Sequence, residues 1–235
     1  MRLDKFLSNL KLGSRKEITK DIKKGLVKVD NVVIYDNGFK IDPKNNKVEY
    51  NSKLVTFREN INIAIYKPKG YLSANIDQMH QVVISLLPLQ YKSYDFKIAG
   101  RLDLDSEGLL ILTTNGNLVS QITNPRKQIE KTYVVETNLD IDNFESLLDG
   151  VIIKDGKNNN YLAKAIKITK FSSKKFEIVI SEGKFHQVKR MFKYLGTEVT
   201  GLKRIQIGKL KLGDLKPGEY FEFKREDILW PIYYY

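Results

Sequence analysis

From Ile61 onward the chain returns again and again to the two-residue period of a β-strand, without the strict strand–helix rhythm of a parallel α/β fold. INIAIY, at 61–66, reads as a buried strand. KTYVVET (Lys131 to Thr137), AKAIKITK (Ala163 to Lys170) and KFEIVI (Lys175 to Ile180) alternate as half-exposed strands. Helical spacing falls between them: Phe144, Leu147 and Leu148 are closed by Gly150, and Val188, Met191, Phe192 and Leu195 by Gly196. Strands that run together in this way predict an α+β domain built on a mixed, largely antiparallel sheet flanked by helices.

The first part of the chain has a different texture. Leu3, Phe6, Leu7 and Leu10 follow the spacing of an amphipathic helix, which Gly13 is expected to stop. Ser14 and Glu17 then form a capping-box pattern that opens a second helix, expected to end at Gly25. Its apolar positions are Ile18 and Ile22, while Arg15, Lys16, Lys20, Lys23 and Lys24 crowd the remaining surface. Short strands follow, with Val27 and Val29 alternating with lysine and Asn37-Gly38 marking a tight turn. NSKLVTFREN, from Asn51 to Asn60, is polar enough to be a connector. The expected division is therefore 1–56 and 60–235.

With 235 residues, 42% of them hydrophobic, the chain can bury a substantial core. It contains no cysteine and only two histidines, His80 and His186, which removes disulfides and zinc–thiolate sites and leaves no expected metal site. The longest apolar runs, such as Leu109 to Leu112, are far short of the roughly 18 residues needed to span a bilayer. The opening MRLDKF carries charge where a signal peptide needs an apolar block, so the expectation is a cytoplasmic protein with no membrane partner. Forty Lys and Arg against 28 Asp and Glu give a formal net charge of +12, the electrostatic footprint of a phosphate-rich partner, although a solvated lysine surface has the same composition.

Against that charge stands GRLDLDSEGLLILTTNG, from Gly100 to Gly116, in which Asp103, Asp105 and Glu107 occupy every second position. An EF-hand loop begins in this way, but its twelfth position is Thr114 where a bidentate Glu is required, and strand-like residues replace the second half of the loop. A carboxylate pair for glycoside hydrolysis is a second reading, since alternate residues of a strand share a face. A third is bland: the acids solvate a loop, and Asp103 pairs with Arg101.

A resemblance favours another reading. MRLDKFLS and SRKEITKDIKKGLVKVDN resemble the S4 RNA-binding domain, and GRLDLDSEGLLILTTNG resembles the central motif of the pseudouridine synthases, in the branch that modifies ribosomal RNA and carries an S4 domain in front. KPKGY (Lys67 to Tyr71), NPRKQIEKTYVV (Asn124 to Val135), ISEGKFHQVKRMF (Ile180 to Phe192) and GLKRIQIGKLKLGDLKPGEY (Gly201 to Tyr220) are similar to that family's other boxes and follow in the same order.

The resemblance implies that Asp103 is the catalytic carboxylate, that Asp105 and Glu107 support it, and that Tyr133 packs against the uracil. The wider superfamily's partner cation is usually arginine, and the matching residue here is Lys189. Arg101 would support the flipped nucleotide. Arg2, Lys5, Arg15, Lys16, Lys20 and Lys23 would form the phosphate-binding face of the S4 domain, and Lys67, Lys69, Arg126, Lys131, Lys184, Arg190 and Arg204 would contact phosphate around the pocket. The family's reaction needs no cofactor. HQVKRMF and the closing PGEY resemble enzymes acting on 16S ribosomal RNA, free or in a partly assembled small subunit, with a monomer expected. An enzyme acting on 23S RNA, a tRNA-specific synthase and a non-catalytic assembly factor are the alternatives. The aromatic ending DILWPIYYY, Asp227 to Tyr235, is outside the family pattern and is expected to pack on the catalytic domain.

Overall fold

The computed structural model describes residues 1–228 except 56, 57, 59 and 93, so the aromatic ending lies largely outside the described residues. The chain divides into two compact units, Met1–Glu59 with Leu87–Asp95 and Asn60–Leu86 with Phe96–Tyr235.

In the first unit two helices, α1 (Leu3–Asn9) and α2 (Arg15–Lys23), precede β1 (Val27–Val29), β2 (Val32–Val33), β3 (Val48–Tyr50) and β4 (Lys53–Val55). These strands form an antiparallel sheet in the order β2-β1-β3-β4. Leu3, Phe6 and Leu7 of α1 meet Ile18 and Ile22 of α2 over Val27, Val29, Ile41 and Val48, which is the burial the helical spacing calls for. The capping box is formed: Ser14 accepts from the Glu17 backbone, and Glu17 accepts from the Ser14 N–H.

Some boundaries differ from the sequence expectation. Helix α1 ends before Gly13, because Lys11 takes the left-handed conformation at φ 55° and turns the chain first. The tight strand-to-strand turns are Asp30-Asn31 and Asn51-Ser52, each with both residues at positive φ. The turn at Asn37-Gly38 is a separate one, closed by the Gly38 N–H donating to the Asp36 side chain at 2.8 Å. The stretch expected to be a connector at Asn51 thus begins as a hairpin that contains β4.

The second unit runs β5 (Asn62–Lys67), β6 (Lys97–Ala99), β7 (Glu107–Thr113), α3 (Gly116–Thr123), β8 (Lys131–Thr137), α4 (Ser146–Asp149), β9 (Val151–Lys154) and β10 (Asn160–Ala163). It continues through β11 (Lys167–Ser172), β12 (Lys175–Ile180), α5 (Gln187–Tyr194), β13 (Val199–Ile207), β14 (Leu210–Lys211), β15 (Tyr220–Glu222) and α6 (Arg225–Ile228). Among the described residues the main sheet has the order β11-β12-β8-β13-β7-β5-β15, with β14 on β13 and β6 on β7. Strands β9 and β10 form a separate hairpin. The expected strand Ala163 to Lys170 is therefore two: β10 ends at Ala163, and after a crossing marked by the Ala165 N–H donating to the Leu147 carbonyl, β11 starts at Lys167.

Every pairing between named strands of the main sheet is antiparallel except one. β13 and β7 run parallel, and they meet over only two register pairs, Lys203 with Glu107 and Arg204 with Gly108. This short seam joins two antiparallel halves. One face is sealed by Ala64, Tyr66, Leu109 and Ile111 against Leu118 and Ile122 of α3, together with Ile207 and Ile228.

At the seam the strands approach so closely that Gly108, at φ 107°, has no space for a side chain: a Cβ would stand 2.2 Å from the Arg204 carbonyl oxygen. Replacing Gly108 by Ala should destabilise the second unit by roughly 3 kcal/mol or more through strain and overpacking combined. Denaturant titration of the full chain checks this, and an unchanged midpoint would contradict the close packing of the seam.

Candidate active site

The acidic residues do not share a strand face. Asp103 and Asp105 occupy a turn that leads into β7, whose first residue is Glu107, and the Ser106 N–H donates to the Asp103 carbonyl at 3.2 Å. Several bonds hold this turn from outside. Ser73 Oγ donates to the Leu102 carbonyl at 2.8 Å and accepts from the Leu102 N–H at 3.0 Å, while the Gly70 N–H donates to the Leu104 carbonyl at 2.8 Å. The KPKGY stretch and Ser73 just after it are thereby stitched to the residues either side of Asp103. Lys67 shapes that loop from within: its buried ammonium donates to the carbonyls of Pro68 (2.9 Å) and Tyr71 (2.7 Å).

Helix α5 and its N-cap residue bring Lys189 and His186 to the turn. Lys189 Nζ donates to both carboxylate oxygens of Asp105, at 2.6 and 2.8 Å, and lies 3.3 Å from Asp103 Oδ2. The other oxygen of Asp103, Oδ1, lies 3.3 Å from His186 Nε2. Asp103 thus stands between two nitrogen-bearing side chains, and its close partners are these rather than Arg101, which is exposed. The third acid, Glu107, accepts from the Tyr66 hydroxyl at 2.7 Å and holds that phenol well above its ordinary pKa, together with burial, the larger cause. Burial pushes the Asp105 carboxyl up, but the bond and charge of Lys189 outweigh it and leave the group below its usual range.

A buried arginine supports the turn from the sheet side. Arg204, 1% exposed, donates from Nε to the Leu109 carbonyl at 2.8 Å and from Nη2 to the Gly100 carbonyl at 2.7 Å. Its Nη1 reaches the Tyr133 hydroxyl at 3.5 Å, and its guanidinium carbon is 5.9 Å from the Tyr133 ring centre. Tyr133 and Arg204 are register partners on β8 and β13, so the guanidinium joins the residue expected to meet uracil, the start of β7 and the glycine that opens the acidic stretch. A guanidinium this deeply buried is tolerable because each of its nitrogens has an oxygen to donate to.

Four of the residues expected to contact phosphate have other partners in the fold. Lys67, Lys131 and Arg204 are buried and donate to backbone oxygens, Arg204 also to the Tyr133 hydroxyl and Lys131 to the Ile129 carbonyl at 2.8 Å. Burial lowers both lysine pKa values to about 8, partly offset at Lys67 by Asp103, Asp105 and Glu107 and reinforced at Lys131 by Arg204. Arg190 donates to the carbonyls of Lys154 and Asp155 and fastens the β9–β10 hairpin to α5. Lys69, Arg126 and Lys184 are exposed, with the Lys184 ammonium 3.6 Å above the Tyr161 ring.

In the first unit, Arg2, Lys5, Arg15, Lys16, Lys20 and Lys23 are all exposed, and all but Lys5 line one depression with Asp4 and Thr19. Arg2 and Arg15 bind the buried Asp4 carboxylate at 3.0 and 3.1 Å, which holds that acid far below the ordinary carboxylate range, Arg2 being the larger cause. Lys16, Lys20 and Lys23 supply further charge around the same depression.

Sequence reasoning assigned no role to His186 and did not foresee the burial of Arg204. The first left a signal: His186 and Lys189 are three residues apart at the start of a helix, a spacing that places them on one face. The second left none, because an arginine in an alternating strand looks like a surface residue. No group of three His, Cys, Asp or Glu suited to a metal ion, and no helix long and apolar enough to cross a membrane, occurs among the described residues.

Known proteins share both units. The family model for RNA pseudouridylate synthase matches residues 61–194, and the S4 domain model matches residues 1–46. An uncharacterized RNA pseudouridine synthase of Bacillus subtilis, YtzG, is 38% identical over 97% of each chain. Ribosomal small subunit pseudouridine synthase A is 36% identical in Vibrio cholerae and 34% in Escherichia coli, in each case over 97% of this chain and 98% of the relative. A crystal structure of a pseudouridylate synthase superimposes with a TM-score of 0.64 at 31% identity, covering 97% of this chain and 98% of the other. With an S4 domain at its N-terminus and a synthase domain covering more than half its length, this chain belongs to the RNA pseudouridylate synthases, isomerases that act on RNA.

Proposed function

We propose that the chain converts one uridine of 16S ribosomal RNA to pseudouridine, with Asp103 as the catalytic carboxylate. The observation that carries this reading is the setting of Asp103: a carboxylate on a turn pinned at Leu102 and Leu104, faced by Lys189 and His186 at 3.3 Å. The small-subunit substrate is supported by the relatives named for it, at 34–36% identity along the full chain.

The reaction breaks the bond between N1 of uracil and C1′ of ribose, turns the base, joins C5 to C1′, and releases the C5 proton while N1 regains one. Atoms balance without a further reagent. What the protein must supply is an ionised carboxylate beside the sugar. Desolvation by an entering base would disfavour that charge. Lys189, already bridging Asp105 and Asp103, opposes this by keeping a positive charge on the pair. Tyr133, anchored through Arg204, presents its ring toward the uracil, and Arg101 at the rim supports the extruded nucleotide. Extrusion costs a few kcal/mol, which exposed cations such as Lys69, Arg126 and Lys184 recover at the backbone, while the S4 face holds the surrounding RNA.

Mapping of carbodiimide adducts by primer extension tests this on 16S and 23S RNA, free and in subunits. The expected result is a single new stop in 16S RNA that is absent with Asp103→Asn. A stop in 23S RNA would overturn the substrate, and a stop that persists with the variant would overturn the role of Asp103.

The S4 face makes its own prediction. Exchanging Lys16, Lys20 and Lys23 together for Gln should weaken RNA binding evenly across sequences. It should also flatten the slope of log affinity against log salt by about 0.7 to 0.9 for each phosphate that is no longer neutralised. Fluorescence anisotropy over a salt series checks this; an unchanged slope would place the RNA elsewhere.

A further inference from the structure

Lys189 is poorly placed to orient Asp103 by itself. Its two short bonds, 2.6 and 2.8 Å, both go to Asp105, and its approach to Asp103 is the longer one at 3.3 Å, to Oδ2 alone. An ammonium also lacks the planar fork with which a guanidinium fixes both oxygens of a carboxylate. Oxygen Oδ1 of Asp103 would be left to rotate but for the imidazole of His186, whose Nε2 stands 3.3 Å away.

That imidazole is held by three features with no evident purpose in the helix itself. His186 occupies the N-cap position of α5, where Ser, Thr, Asp or Asn would bond the first turn, yet its side chain makes no capping bond. Its backbone is left-handed, φ 51° and ψ 28°, a conformation uncommon outside glycine. Its ring lies flat on Phe185, with centroids 3.8 Å apart and planes 20° apart.

Phe185 is itself located from behind. A Cβ on Gly156 would stand 3.1 Å from the Phe185 Cβ, so the β9–β10 hairpin loop abuts that side chain directly. The guanidinium carbon of Arg190 lies 5.2 Å from the Phe185 ring centre, and Arg190 is anchored on the carbonyls of Lys154 and Asp155. Support thus runs from the hairpin through Arg190 and Phe185 to His186, and ends on one oxygen of Asp103.

We infer that His186 is a positioning residue, one that fixes the plane of the Asp103 carboxylate by holding Oδ1 while Lys189 approaches Oδ2. The inference rests on Asp103 being the reacting group. Orientation is worth large factors in rate, and a misplacement of about 1 Å can cost a hundredfold. Because His186 acts through Asp103, its loss should slow the chemical step and leave RNA binding alone.

The test is single-turnover isomerisation of the RNA substrate by full-length His186→Ala, His186→Gln and Phe185→Ala proteins, beside Asp103→Asn, with RNA affinity and thermal melting measured on the same samples. Removing the imidazole should slow turnover roughly ten- to a hundredfold with affinity within about twofold. His186→Gln, which offers an N–H donor near the place of Nε2, should recover most of the rate. Phe185→Ala keeps the imidazole but removes its stacking partner, and should show a smaller loss. His186→Ala turning over at the wild-type rate while Asp103→Asn is inactive would overturn the inference. Equal losses in the Ala and Gln proteins would also overturn it, since the donor would then be irrelevant. Activity in Asp103→Asn would instead sink the reading of Asp103 on which the inference stands.

Discussion

The candidate site depends on a positive charge buried in a sheet. Arg204 sits where β7 and β13 make the one parallel contact between named strands of the main sheet, and its guanidinium reaches Leu109 on one strand, Tyr133 on another and Gly100 at the head of the acidic turn. A guanidinium buried this deeply cannot move without leaving several polar groups unpaired, each at a cost of about 1–3 kcal/mol. The positions of Tyr133 and of the turn are therefore coupled by an interaction that has few alternatives. Gly108 completes the joint from the backbone side, because only a residue without a side chain allows the two strands to meet at this separation.

Charge around the turn is arranged in layers. Beneath it, Lys67 and Arg204 are buried and engaged with carbonyl oxygens, and the charge of Lys67 acts on Asp103, Asp105 and Glu107 from a fixed position. Above it, Lys189 and His186 come from α5 and face the carboxylates directly. Three acids that looked excessive in a basic chain each have a partner: Asp105 takes the short bonds of Lys189, Glu107 takes the Tyr66 hydroxyl, and Asp103 is left with two longer contacts, to His186 and to the shared Lys189. The least tightly bonded of the three is the one proposed to react. That is the arrangement a carboxylate needs if it must remain available to a substrate.

Much of the fold was legible because hydrophobic period reports burial directly. β8 and β12 fall where KTYVVET and KFEIVI predict strands, although β8 is buried along most of its length rather than half-exposed, and the Ser14–Glu17 capping box forms as the sequence indicates. What escaped were features that depend on partners distant in sequence. Lysine and arginine read as surface residues from composition, yet Lys67, Lys131 and Arg204 are interior, because carbonyl oxygens brought from elsewhere satisfy them. Ala163 to Lys170 alternates as one strand would, but its two ends belong to different sheets. The acids at every second position suggested a strand face, whereas Asp103 and Asp105 lie in a turn bonded to the KPKGY loop and only Glu107 belongs to β7. His186 was hidden for a similar reason, since its contact with Asp103 spans more than 80 residues of chain.

The most direct test of the account is the fate of the uracil C5 hydrogen when RNA is fully bound. Release of tritium from 16S RNA labelled at C5 of uridine should reach one equivalent per RNA with the wild-type protein under single-turnover conditions. With Asp103→Asn it should remain at background, although the same sample holds the RNA with affinity within severalfold of wild type. Release from the Asp103→Asn complex at a comparable rate would mean that the carboxylate between His186 and Lys189 is not the group that performs the chemistry.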